Sequence, residues 1–472
     1  MMRRALLLLF FVLVVSAKAG AQTWILRIAD YNIEADIGVT NEQATFFTNI
    51  VISAAEGPPL PGLIAPATNG AAVQLGGVLE GIGEELVKSN AQPVDIVALE
   101  ETTSNLKTVT PIVNGLNTFY GIAGMYTNSP YQGTQSGSTG VGNGPNAIVY
   151  NTHTVQLLAS TPVDPPGGTS QLGGVSSGKS GEYREVMRYQ FAHANVQANS
   201  DNSFYIYVSH YKSGANTTAN NTNSRAGEAW IVRSNMMTTL PPTARILHVG
   251  DFNTGDASEM MYITLTTPGP NQLADPINPA NNWTIDFDTT TWKTNLTDSA
   301  TYLQYRDDYQ MMTTNVFYGS GAGLALAAGT YHSFGNNGTA AYHVSVNSGG
   351  NTVFNNRLVT NGPVFISGAQ LLVDLTGASD HLPIVADYTI PMPAPKITSA
   401  LFSTSTSNLT LSVTNGITNA VYFVLMNTNL NSSLTNWTAV ASNTAAAGNF
   451  SFTATNVFSP GTSQRFFILK TR

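Results

Sequence analysis

What constrains this chain most is where its apolar runs stop. Leu26-Arg27-Ile28-Ala29-Asp30-Tyr31-Asn32-Ile33 alternates like a strand and ends at a carboxamide. Pro93-Val94-Asp95-Ile96-Val97-Ala98-Leu99 is a buried-strand run that passes into Glu100-Glu101-Thr102. Phe204-Tyr205-Ile206-Tyr207-Val208-Ser209 leads to His210-Tyr211-Lys212, and Ile246-Leu247-His248-Val249-Gly250 leads to Asp251-Phe252-Asn253. Two more polar strings follow, Arg306-Asp307-Asp308-Tyr309 and Ser379-Asp380-His381-Leu382-Pro383. Such a chain forms sheets that deliver carboxylates, carboxamides and imidazoles at strand ends. That set suits metal-assisted attack of water on a phosphate ester: carboxylates hold a hard cation, an amide holds an oxygen, and imidazole moves a proton or stabilises charge. Taken singly, each string also has an ordinary structural meaning. Gly-Asp-Phe-Asn after a strand makes a turn, His210 caps a surface strand, and Asp307-Asp308 is a solvated pair.

In this order the strings resemble the endonuclease/exonuclease/phosphatase superfamily, over roughly residues 24–390. The resemblance implies a four-layer α/β sandwich: two mixed β-sheets packed face to face, helices outside, and the acidic motifs at one end. It also implies roles for individual residues. Glu101 takes the place of the metal-binding Glu in the pattern Asp-Ile-Val-x-Leu-Gln-Glu, with Asn32 and Asp380 near the same metal. Asp251 orients or deprotonates the attacking water, and Asn253 holds a phosphate oxygen. His381 is the essential imidazole with Asp308 as its orienting carboxylate; strand register decides between Asp308 and Asp307. His210 is a phosphate contact or general acid. Arg184 and Lys212 are substrate contacts, Lys212 as a simple phosphate-facing charge, although Arg184 fits a cross-strand ion pair with Glu185 or a neighbour equally well. Glu100 stands where Gln is commoner. An extra carboxylate there either strengthens cation binding or raises the pKa of one member of the pair. The implied cofactor is Mg2+ or Mn2+, with Ca2+ as an alternative. His153, His193, His248, His332 and His343 belong to no motif and are read as structural.

The flanks have a different character. Residues 1–21 read as a signal peptide: Arg3-Arg4, an apolar run from Leu6 through Val15, then Ala19-Gly20-Ala21. The run is too short for a comfortable membrane span, no later stretch qualifies as a transmembrane helix, and the expectation is a secreted or periplasmic protein. With no cysteine, thiol chemistry and sulfur-based zinc sites are excluded. The main domain is expected over 22–390, followed by a Pro-rich linker at 391–396 and a small all-β sandwich at 397–472. No Asp or Glu follows Asp387, so this last domain is excluded from the metal chemistry; surface, glycan or partner binding and a spacer role stay open. Within the main domain, 57–80 and 133–140 read as loops, and 73–88 is the best amphipathic helix candidate. Another helix starts near Ser224. The long stretch between Asp308 and Asp380 reads as an insertion able to act as a substrate-selecting lid.

Charge bears on the substrate. The chain has 20 basic and 28 acidic residues, a net charge of −8; removal of Arg3, Arg4 and Lys18 with the signal leaves 17 basic residues and −11. Such a protein lacks the basic footprint of a tight nucleic-acid binder, which points to transient, cation-dependent engagement. The expected function is a secreted divalent-metal-dependent phosphodiesterase, foremost a nuclease with nucleic acid as substrate. The alternatives are a phospholipid phosphodiesterase or phosphomonoesterase of sphingomyelinase or inositol-phosphatase type, and a catalytically idle surface-binding module.

Overall fold

The computed structural model describes residues 12–14, 23–34, 71–102, 105–129, 146–163, 186–194, 202–214, 219–278, 280, 293–298, 300–320, 323–338, 343–359, 366–391, 395–403, 405–416, 421–445, 448–457 and 464–471. The chain divides into a larger compact unit, 25–192 with 200–390, and a smaller one that takes in 1–24, 193–199 and 391–472.

The elements up to residue 391 are, in chain order, β1 (Thr23–Asn32), α1 (Ala71–Glu84), β2 (Ile96–Glu100), α2 (Thr110–Phe119), β3 (Tyr126–Asn128), β4 (Ala147–Asn151), β5 (Val155–Pro162), β6 (Met187–His193), β7 (Ser203–Val208), α3 (Ala219–Thr239), β8 (Ile246–Asp251), α4 (Met260–Thr266), β9 (Leu273–Ala274), β10 (Asp308–Thr313), α5 (Thr314–Phe317), β11 (Ala325–Leu326), β12 (His332–Ser333), α6 (Gly368–Ala378) and β13 (Ile384–Pro391). They build two sheets. One runs β11-β13-β1-β2-β4-β3, with β12 also on β13; the other runs β9-β10-β8-β7-β6-β5. Both are mixed: β1 lies parallel to β2 and β7 to β8, whereas β2–β4 and β8–β10 are antiparallel.

The period of two along each strand decides what lies between the sheets. Leu26 and Ile28 of β1 and Ile96 and Ala98 of β2 pack with Ile206 and Val208 of β7 and Leu247 and Val249 of β8. Alternate residues face outward. Ala29, Tyr31, Val97 and Leu99 share a core with Leu75, Val78 and Leu79 of α1 and Leu371 and Leu375 of α6. Gly77 and Gly81 of α1 permit that helix packing, because an added Cβ would stand 2.0 Å from Asp374 Oδ2 and 2.6 Å from Leu371 Cδ2. The outward Tyr207, Ile246, Tyr309 and Met311 join the same core as Ala229 and Val232 of α3 and Met261 and Leu265 of α4. Helices on both outer faces and apolar residues between the sheets make four layers, the architecture expected. A polar pin crosses the inner layer: Gln310 Nε2 donates to Ile28 O at 3.1 Å and Ile384 O at 2.7 Å, and Tyr388 OH donates to Gln310 Oε1 at 2.9 Å.

Continuing the inward parity past the apolar residues explains where the site lies. The next inward positions are Asp30 and Asn32 on β1, Glu100 on β2, His210 beyond β7, Asp251 on β8 and Asp308 on β10. One rule therefore fills the inner layer with hydrocarbon and then lines its end with polar groups.

Several expectations need correction. Residues 71–80 of the supposed 57–80 loop belong to α1, which runs Ala71–Glu84 rather than 73–88. Gly77, Gly81 and Gly83 serve close packing within that helix. The stretch from Asp308 to Asp380 is not one long insertion either: β11 and β12 pair antiparallel with β13, and α6 packs in the core. The 133–140 loop and residues 57–70 lie outside the described residues. So does the leader, except for Val12–Val14. Among the described residues no helix is long and apolar enough to cross a membrane.

The smaller unit carries β14 (Lys396–Ser403), β15 (Asn408–Thr414), β16 (Val421–Asn427), β17 (Thr438–Thr444), β18 (Phe450–Ala454) and β19 (Arg465–Thr471). One sheet runs β14-β15-β18; the other runs β19-β16-β17, with Val12–Val14 parallel along β19. Leu409, Leu411, Val413 and Ala454 from the first meet Val424 and Phe467 from the second in one core, so the unit is a small all-β sandwich.

Candidate active site

The Gly250-Asp251-Phe252-Asn253 string works as a unit. Gly250 has φ +135°, and a Cβ on it would stand 1.7 Å from Ser209 O, so only glycine lets β8 lie this close to the end of β7. Phe252 is locked in an aromatic stack, 5.2 Å from Tyr309 and 5.0 Å from Tyr211 between ring centroids. Asn253, at φ +50°, turns back on Asp251: its N–H and Nδ2 donate to Asp251 Oδ1 at 2.9 and 2.7 Å, and Nδ2 also donates to Tyr211 O at 3.2 Å. These bonds fix the Asp251 carboxylate and direct Oδ2 toward the other polar residues. Asn253 thus clamps Asp251.

Asp251 Oδ2 is a shared point. Asn32 Nδ2 lies 3.2 Å from it and 3.1 Å from Glu101 Oε1. His210 Nε2 lies 3.4 Å from each of the same two oxygens. Glu101, His210 and Asp251, all buried, offer ligand atoms within 4.8 Å of one another. Asn32 Oδ1 accepts the Glu34 N–H at 3.1 Å, which turns the NH2 toward the carboxylates. In this arrangement the Asn32 amide donates to both Glu101 and Asp251. Glu101 sits just past β2 at φ +55°, a left-handed conformation unusual for Glu that takes it out of the strand's alternation.

The second centre is His381. Its Nδ1 stands 2.8 Å from Asp308 Oδ2, and Asp308 is fully buried. Nε2 then faces Asp380 Oδ1 at 3.7 Å and Asp251 Oδ2 at 3.9 Å. Burial opposes charge on the imidazole, but Asp308, Asp251 and Asp380 outweigh it and hold the pKa well above the ordinary value. Asp308, not Asp307, is the orienting partner; the Asp307 carbonyl accepts the Phe252 N–H at 2.7 Å. Arg306 anchors the start of β10 through a bidentate pair with Asp275 at 2.7 and 2.8 Å and by lying 4.1 Å over the Tyr309 ring.

Other expected residues fall differently. Asp380 groups with His381 and Asp298, whereas Glu101 groups with His210 and Asp251. Lys212 Nζ donates to Ser213 O at 3.0 Å and its N–H to Glu228 Oε2 at 2.9 Å. Arg184 lies outside the described residues. Glu100, fully buried beside Asp30, is driven well up by burial and then by the charges of Asp30 and Asp308. His248 is structural, buried against Ser209 Oγ at 2.9 Å and pushed by burial down to about 3.

Two acids escaped the sequence reading. Glu34 accepts the Asp380 N–H at 3.1 Å, and burial followed by the Asp380 charge raises it to about 7. It stands two residues after Asn32, and that spacing was an available signal. Asp298 belongs to no motif. It is bridged in antiparallel fashion to both His381 and Tyr305, and its pKa is raised to about 6, by burial first, with His381 opposing and Asp380 adding.

Comparison with known proteins yields no matching family model and no matching curated protein. Among solved structures, the catalytic domain of human Nocturnin with bound sulfate is similar at 13% identity and TM-score 0.41, covering 78% of this chain and 97% of its own. A humanized TDP2 from D. rerio is similar at 13% identity and TM-score 0.40, covering 77% and 98%. An endonuclease/exonuclease/phosphatase family protein from Bacteroides thetaiotaomicron is similar at 12% identity and TM-score 0.38, covering 79% and 97%. These are likenesses of fold at low identity. The chemistry of this chain is read from its own side chains.

Proposed function

We propose that the protein is a secreted, divalent-metal-dependent phosphodiesterase that hydrolyses nucleic-acid phosphodiester bonds. The observation that carries this reading is the convergence on Asp251 Oδ2 of Asn32, His210 and the Asp308-held His381, with Glu101 alongside. Two carboxylates and an imidazole within 4.8 Å, with no sulfur, form a donor set suited to a hard or borderline divalent ion such as Mg2+ or Mn2+, and Ca2+ also accepts such oxygens. Glu101 would anchor it, which leaves Asp251 Oδ2 and His210 Nε2, both close to the Glu101 carboxylate, for the reacting water and phosphate. When bound, the ion supplies positive charge against the phosphate oxygens and lowers the pKa of water.

The remaining steps belong to the chain's own groups. Asp251 Oδ2, its partner oxygen fixed by Asn253, orients a water and accepts its proton. His381, kept charged by Asp308, donates from Nε2 to a phosphate oxygen and stabilises the charge that grows there. His210, within reach of the same carboxylates, serves the phosphate or the leaving oxygen.

The test is a substrate panel with purified mature protein and Mg2+ or Mn2+: supercoiled plasmid, single-stranded DNA and RNA, and phospholipid vesicles, each with and without chelator. Chelator-sensitive cleavage of nucleic acid supports the reading. Release of lipid headgroup without nucleic-acid cleavage moves the assignment to a phospholipid phosphodiesterase, and inactivity of a folded protein on every substrate favours an idle site.

A further inference from the structure

Beside His381 the chain displays exposed aromatic rings in a fixed order. Asp298 is paired in antiparallel fashion with His381 on one side and Tyr305 on the other. Leu382 N–H donates to Thr297 O at 2.9 Å, and Tyr305 N–H donates to Asp298 O at 2.7 Å, so three short segments lie side by side. Residues directly opposed across antiparallel segments project to the same face, which puts the Tyr305 ring on the side of the Asp298 carboxylate and the His381 imidazole. Two inter-strand steps separate the Tyr305 backbone from that of His381 by roughly 10 Å. The Tyr305 residue is 44% exposed.

The tip of the same hairpin carries Tyr302, 48% exposed. Its ring stacks on the exposed His343 ring, centroids 4.5 Å apart and planes within 10°. His343 N–H donates to Leu303 O at 2.7 Å and Val346 N–H to Ala300 O at 2.9 Å, so the hairpin and the 343–346 segment hold each other in place. His343 itself has φ +64°, a conformation rare for a non-glycine residue.

Resting on the phosphodiesterase reading, we infer that Tyr305 and the Tyr302–His343 stack form a platform for unpaired nucleobases flanking the scissile phosphate, which makes single-stranded nucleic acid the substrate class. The flat faces match a base, and the spacing from His381 fits a nucleotide next to the reacting phosphate. Stacking needs no basic groove. A chain of net charge −8 gains little from the phosphate backbone, and ring-on-base contact supplies affinity without positive charge. A base inside a duplex hides both faces in the stack, so the platform discriminates in favour of single strands or unpaired ends.

The experiment compares a short fluorescein-labelled single strand with the same strand carrying abasic residues, read by fluorescence anisotropy for Kd and by gel for cleavage with Mg2+. Tyr305→Ala and Tyr302→Ala are expected to weaken binding of the base-bearing strand by about 5- to 150-fold each, to leave the abasic strand unchanged, and to be rescued by Tyr305→Phe and Tyr302→Phe. Alanine variants that bind the base-bearing strand like wild type, or lose both strands equally, overturn the platform. So does a wild type that binds neither strand. Ring-dependent binding without cleavage of any strand leaves the platform standing and removes the phosphodiesterase reading.

Discussion

Replacing Asp308 with asparagine separates catalysis from stability. Asp308 is fully buried, and its Oδ2 lies 2.8 Å from His381 Nδ1. Its charge is also among the causes that raise Asp30, Glu100, Asp298 and Asp307. A hydrogen bond to a charged partner contributes about 1.5–3 kcal/mol net. Losing that from the transition state lowers kcat/KM roughly 10- to 150-fold at pH 7. Breaking a buried ion pair ordinarily destabilises because a charge is stranded, but His381 beside a neutral carboxamide sheds its proton at lower pH, Asp251 and Asp380 still face it, and the surrounding acids lose a like charge. Stability should therefore stay within about 1 kcal/mol of wild type. The pH dependence follows in sign: a raised imidazole pKa keeps His381 charged to higher pH, and activity that needs that charge falls as pH climbs through it. In Asp308→Asn the fall moves to lower pH. Initial rates across pH, together with thermal melts, read both effects. A variant with near-wild-type rate, or one whose activity loss is matched by a large drop in Tm, would refute the reasoning.

Three further outcomes follow from the same geometry. Glu101→Gln removes one of the two carboxylates near His210 and should weaken Mn2+ binding about tenfold or more by calorimetry, an outcome contradicted by an unchanged isotherm. Gly250→Ala forces a Cβ to 1.7 Å from Ser209 O at φ +135° and should cost more than about 2 kcal/mol in denaturant unfolding; a change under about 0.5 kcal/mol would show that the β7 end is not held as described. Asp95, buried and raised by burial to about 7, favours the protonated folded state, so its contribution to stability falls as pH rises from 3.8 to about 7. Asp95→Asn should flatten the pH dependence across that window by up to about 1.4 kcal/mol per pH unit, and an unaltered slope would exclude Asp95 as its source.

Much of the site was legible because one periodicity governs both core and catalytic end. The alternation that buries Leu26 and Ile28 also turns Asp30 and Asn32 inward, and Leu247 and Val249 predict the face of Asp251. Side-chain direction at the ends was less legible. Asn32 and Asn253 are amides of the expected type in the expected place, and the hydrogen bonds from Glu34 N–H and to Asp251 Oδ1 that set their direction could not be read from spacing. Asp298 reaches the site only through tertiary pairing with His381, and local spacing carries no trace of that. The start of α1 was misread because the loop reading around Gly57-Pro58-Pro59 and Pro61-Gly62 was carried on to residue 80. In the small sandwich, β19 is nearly continuous in apolar residues from Phe466 to Leu469, with no alternation to announce a strand.

The measurement closest to the central claim is hydrolysis of a single-stranded oligonucleotide by metal-stripped protein as Mg2+ or Mn2+ is added back, for wild type and His381→Ala in parallel. The expected result is saturable activation in wild type and at most residual turnover in His381→Ala at an unchanged melting temperature. Hydrolysis that needs no added metal, or equal rates for the two proteins, would contradict the account.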